Sequence, residues 1–71
     1  MNNGRRIKGV SLMGDLQPLT QSGAITAATA RGVVASYMGG EDGPLKALLV
    51  EPGIPVFLSG ILKRIREKYL Q

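Results

Sequence analysis

The stretch QSGAITAATARGVVASYMGG, residues 21–40, decides how this chain folds. Residues 21–38 carry a single charge, Arg31, and no proline. Gly39 and Gly40 then offer a stop, because glycine readily enters the left-handed conformation that closes a helix. The stretch therefore predicts a helix over 21–38. Within it Ala24, Ala28, Gly32 and Ser36 recur every four residues. At that spacing they form one ridge along which another helix backbone can approach closely. Alanine is the best helix former, so an alanine-rich segment can be merely helical. Glycine in mid-helix is destabilising, however, and Gly32 turns the reading toward a packing surface. Ile25, Val33, Val34, Tyr37 and Met38 flank the ridge with bulk.

Toward the C-terminus, Glu41-Asp42-Gly43-Pro44 reads as a turn. Leu45–Val50 is a short apolar run interrupted by Lys46, and periodicity alone leaves it open between helix and strand. Glu51-Pro52-Gly53-Ile54-Pro55 ends it. A second helix is expected over 55–70, with Pro55 in its first turn. Its apolar seam is Leu58, Leu62, Ile65 and Tyr69, widened by Ile61, and Lys63, Arg64, Arg66 and Lys68 cover the remaining surface. Toward the N-terminus, Gly4, Gly9 and Gly14 each make a helix costly, by about 1 kcal/mol relative to alanine. Val10 and Leu12 alternate with small or polar neighbours. Residues 1–14 are therefore expected to form an extended basic arm, and residues 15–71 one small helical domain. The expected fold is mainly α: a two-helix hairpin-like domain with that arm and a short third element. Phe57, Leu58, Leu62 and Ile65 should lie over the Ala24–Ser36 ridge.

Composition narrows the chemistry. A chain of 71 residues makes one domain whose core is marginal and usually needs a supplement. With no cysteine and no histidine, disulfides are impossible and a zinc site is nearly so. The commonest general acid–base group and the readiest nucleophile are missing as well. Ser59 and Lys63 share a helix face at i, i+4, but a small packed serine beside a solvated lysine is the better account of them. No enzymatic activity, metal or cofactor is expected. No apolar segment approaches the length of a membrane span, and the basic start is not followed by the apolar core of a signal peptide. Synthesis in the cytoplasm without an export signal is expected, with a final location in an assembly.

The net charge of +4 is distributed unevenly. Arg5, Arg6 and Lys8 lie at one end and Lys63, Arg64, Arg66 and Lys68 at the other. Arg31 and Lys46 in between are outnumbered by Asp15, Glu41, Asp42 and Glu51. Both basic ends are candidate partner contacts. The expected function is a non-enzymatic structural or assembly subunit, with a small virion or tail component as its most concrete form. It would dock on protein partners or on copies of itself through Ala24, Ala28, Gly32, Ser36, Leu58, Leu62 and Ile65. Two alternatives stay open. One is a sequence-nonspecific nucleic-acid binder acting on phosphates, since the chain has few aromatic residues for base stacking. The other is a membrane-surface protein using the amphipathic helix 55–70.

Overall fold

The computed structural model describes the backbone of residues 2–70 and the side-chain surroundings of residues 7–70. It is helical throughout its regular parts: α1 (Asn2–Asp15), α2 (Gln17–Gln21), α3 (Ala27–Met38), α4 (Gly43–Leu49) and α5 (Ser59–Tyr69), with a 3-10 turn at Val56–Leu58. Among the described residues there is no strand.

The N-terminal segment is helix, not an extended arm. Gly9, Leu12, Leu16 and Leu19 fall at i, i+3, i+7 and i+10, one stripe of a helix, and all four are buried. The three leucines have no exposed surface at all. Each contributes about 1.5–3 kcal/mol on burial, enough to offset the glycine penalty that argued against a helix here. Val10, which suggested a strand, is exposed. Pro18 cannot donate a hydrogen bond, so the helix is interrupted between α1 and α2. The Leu16 amide still bonds to Leu12 O and the Leu16 carbonyl accepts from Thr20, so the chain bends there without unravelling.

Thr26 caps α3: its Oγ1 accepts from the Thr29 amide at 3.1 Å. The four residues before Thr26 are turn and bend, so the helix expected from residue 21 begins later. It stops where the glycines predicted. Gly40 has a φ of +93°, its amide bonds to Tyr37 O, and the Glu41 amide bonds to Ser36 O. That pair of bonds is a Schellman closure. Residues 43–49 are helix, opened by Pro44, which decides the ambiguity of the Leu45–Val50 run. The last helix opens as a 3-10 turn, where Ser59 Oγ donates to Val56 O at 2.6 Å, and continues as α5.

The packing partners differ from those expected. α1 lies against α3 and α5, and α4 also lies against both, so α1 and α4 stand between the two long C-terminal helices. α3 turns Ala30, Val33, Val34 and Tyr37 inward, at i, i+3, i+4 and i+7. Those side chains bury more apolar surface than the small residues would, and so they set the helix rotation. The ridge consequently faces away: Ala28 and Gly32 are exposed, Ser36 is half-buried, and Ala24 lies before the helix begins. Leu58, Leu62 and Ile65 do not lie over it. Leu58 and Ile65 are buried in the core with Leu45, Leu48 and Leu49 of α4, Leu62 packs at its margin, and Phe57 points outward. The radius of gyration, 11.3 Å, matches the roughly 11 Å expected for a compact domain of this length.

Leu12→Ala is expected to lower the unfolding free energy by about 2–5 kcal/mol in a denaturant titration. A detached arm would tolerate the change within about 0.5 kcal/mol. The glycines give a second contrast. A Cβ on Gly9 would collide with Cγ and Sδ of Met38, whereas one on Gly32 meets nothing. Gly9→Val should cost about 1–3 kcal/mol, and Gly32→Ala should stabilise by about 0.5–1 kcal/mol.

Candidate functional site

The basic residues of the C-terminal helix serve two different purposes. Lys68 belongs to a polar interlock between α1 and α5. Its Nζ lies 3.1 Å from Asp15 Oδ2 and 2.9 Å from Ser11 Oγ. Tyr69 Oη is 2.6 Å from the same carboxylate oxygen and 2.7 Å from Ser11 Oγ. A phenol carries one proton and a carboxylate only accepts, so Tyr69 donates to Asp15 while the Ser11 hydroxyl donates to the phenol oxygen. The Tyr69 ring meets Tyr37 edge-on with centroids 5.7 Å apart, and the Tyr37 hydroxyl makes a long contact, 3.4 Å, to the Tyr69 carbonyl. This ring pair ties α3 to the end of α5.

Protonation of the interlock follows from its neighbours. Partial burial pushes the Asp15 carboxyl up, but hydrogen bonds from Tyr69 and Lys68 and the charges of Lys68 and Arg64 outweigh it, leaving the group below its ordinary 3.8. Burial, and then the hydrogen bond to Asp15, raise the Tyr69 phenol above 10.0. The hydrogen bonds to Asp15 and Tyr69 raise Lys68 above 10.5. A depressed carboxylate stabilises the fold above its unfolded pKa, and that stability is lost as pH falls through the folded value. Raised Tyr and Lys groups stabilise below their unfolded values, and that part is lost as pH rises through the folded ones.

Two of the other C-terminal cations, Lys63 and Arg66, border a groove between α4 and α5. It consists of two depressions that share Leu49 and Arg66. One, of about 300 Å³, adds Lys46, Val50 and Leu70. The other, of about 400 Å³, adds Ser59, Leu62 and Lys63. Val50, Leu62 and Leu70 give it apolar surface over the buried Leu49, Ser59 adds a polar group, and Lys46, Lys63 and Arg66 are exposed at its edge. Among the described residues none of these three cations is held in an ion pair. Lys46 was not recognisable from sequence as a partner of the C-terminal cluster, because seventeen residues separate it from Lys63 and only the packing of α4 on α5 brings them together.

Of the other expected contacts, Lys8 and Arg64 are exposed, and the side chains of Arg5 and Arg6 lie outside the described residues. Ser59 gives its proton to the Val56 carbonyl and is not aimed at Lys63. Among the described residues no three His, Cys, Asp or Glu side chains cluster closely enough to hold a metal, and no helix is long and apolar enough to cross a membrane. Large apolar side chains also remain outside the core. Val56 and Phe57, neighbours on the 3-10 turn, are 86% and 75% exposed, and Ile7 and Val10 are exposed one turn apart on α1. Compared with family models, with curated proteins and with solved structures, the chain has no significant match.

Thermal melts across pH should show a plateau that falls off on the acid side below 3.8 and on the alkaline side above 10. Tyr69→Phe should lower the plateau by about 1–2 kcal/mol, because it strips a hydrogen bond from a charged acceptor. It should also flatten the alkaline limb, and Asp15→Asn should flatten the acid limb. A Tyr69→Phe protein with unchanged stability and unchanged pH profile would show that the interlock contributes nothing.

Proposed function

We propose that this chain is a non-enzymatic docking subunit of a larger assembly, joined to protein partners or to its own copies through its surface. A small virion or tail component is the most concrete form of this reading. The observation that carries it is the outward pair Val56 and Phe57. A single exposed apolar residue is ordinary on a protein surface. Here the chain's one phenylalanine and an adjacent valine stand together on a short turn fixed by Pro55 and the Ser59 hydroxyl. Aromatic side chains presented on rigid elements are the usual anchors of protein interfaces, because little conformational entropy is lost when they are covered. Among the described residues thirteen apolar side chains form a core without them.

The exposed ridge of α3 fits the same reading as a second contact. Gly32→Leu adds bulk to a surface that none of the described residues opposes, so it should leave the fold intact while weakening a partner contact on that face.

Size-exclusion chromatography with light scattering, at near-physiological salt and over a range of concentrations, tests the proposal. Association that grows with concentration, and that disappears in Val56→Ser/Phe57→Ser with unchanged helical circular dichroism, is the expected result. A 7.5 kDa monomer at every concentration, in both proteins, would overturn self-association as the mode of assembly.

A further inference from the structure

From the α4–α5 groove we infer a binding site for an acidic amphipathic helix of a protein partner. The inference rests on the docking reading above and names the partner's chemistry at a different surface. Three features converge on it. The groove is a shallow concavity, Val50, Leu62 and Leu70 place apolar surface in it, and the charges at its edge are all of one sign.

Concavity selects the kind of partner. The two depressions join at Leu49 and Arg66, so the groove runs along α5 from Ser59 to Leu70. At a rise of about 1.5 Å per residue that is about 16 Å, or three helical turns. A helix of that length presents apolar side chains at i, i+3, i+4 and i+7, which can enter both depressions in succession. A bilayer surface has no such projections, and a bilayer is engaged by protruding apolar groups, not by a groove. A nucleic-acid backbone would satisfy the cations but would leave Val50, Leu62 and Leu70 uncovered.

The edge selects the partner's charge. Lys46 stands on α4, with Lys63 and Arg66 opposite it on α5, and no carboxylate lines either depression. A partner helix whose apolar stripe is bordered by Asp and Glu would therefore meet a cation on either side. Val50, 68% exposed at one wall, is the apolar residue that such a helix would cover most fully. Lys68 and Asp15 take no part, since they already satisfy one another across α1 and α5.

The test uses the whole chain and a dye-labelled synthetic peptide of about fourteen residues. Leucines at i, i+3, i+4 and i+7 are set among aspartates and glutamates, and a scrambled peptide of the same composition serves as control. Fluorescence anisotropy should show the patterned peptide binding at least about five-fold more tightly than the scrambled one. Lys46→Glu and Arg66→Glu should each weaken binding by about five-fold or more, and raising salt from about 50 to about 300 mM should weaken it further. Val50→Asp should weaken it comparably, with the thermal unfolding midpoint reporting that each variant is folded. Equal binding of the two peptides would overturn the inference, as would indifference to Val50→Asp. Tighter binding of duplex DNA, or of vesicles rich in phosphatidylserine, than of the patterned peptide would overturn it as well. Val56→Ser/Phe57→Ser should leave peptide binding unchanged, so failure of the docking turn and failure of the groove are read separately.

Discussion

The burial of Leu12, Leu16 and Leu19 along one side of a proline-bent helix is the constraint on which the other helices depend. α1 touches both α3 and α5, and its leucines are as fully enclosed as any residue in the molecule. In a chain of 71 residues no second core is available. Every element must therefore turn its apolar stripe into the one core that these side chains share. α3 does so with Ala30, Val33, Val34 and Tyr37, α4 with Leu45, Leu48 and Leu49, and α5 with Ile65 and Tyr69. Gly9 belongs to the same constraint. Having no side chain, it lets Met38 lie directly on α1 and so fixes how closely the end of α3 approaches. The glycine that looked like a helix breaker is, in this position, a close-packing residue.

The apolar core leaves the ends of α1 and α5 to be matched by polar groups. Ser11 and Asp15 lie one turn apart on α1, and Lys68 and Tyr69 are neighbours at the close of α5. Their hydrogen bonds draw the last turn of α5 onto α1 and hold the ring of Tyr69 against Tyr37. This arrangement also divides the basic C-terminus. Lys68 turns toward Asp15, while Lys63 and Arg66, spaced to share a face of α5, are left beside Lys46. The basic cluster near the C-terminus becomes, in three dimensions, one internal contact and one open edge.

Helical content, the Gly39-Gly40 stop and the seam of the last helix were all legible in the sequence. Each rests on interactions among residues close along the chain. The errors arose where a local rule met a distant partner. The glycine penalty and the Val10–Leu12 alternation argued for an extended arm, while the stripe Gly9, Leu12, Leu16 and Leu19 was present but crossed the boundary drawn at residue 14. Ala28, Gly32 and Ser36 lie on α3 at the expected spacing, but Ala24 precedes the helix and Leu58, Leu62 and Ile65 pack elsewhere. Spacing identifies a face, but the face that goes inward is the one burying more apolar surface, and Val33, Val34 and Tyr37 outweigh Ala28, Gly32 and Ser36. The groove was not legible at all, because its edge needs Lys46 and the C-terminal cations on opposite walls, and only the packing of α4 against α5 supplies that.

These corrections change the grounds for regarding the chain as a docking protein. A weak core in need of a partner was the first argument, yet the core is closed by the chain itself, with no buried polar side-chain atom lacking a hydrogen bond among the described residues. What remains is a surface that a self-sufficient small domain has no internal use for: an aromatic turn facing outward, a small-residue face on α3 with nothing over it, and an apolar groove edged by cations. The interlock at Tyr69 lets that surface be used without loss of the fold. It secures the C-terminal turn of α5 from the α1 side while the opposite side of the same helix stays open. A helix fastened along one face and open along the other is already ordered before a partner arrives, so binding there would spend little on ordering the site.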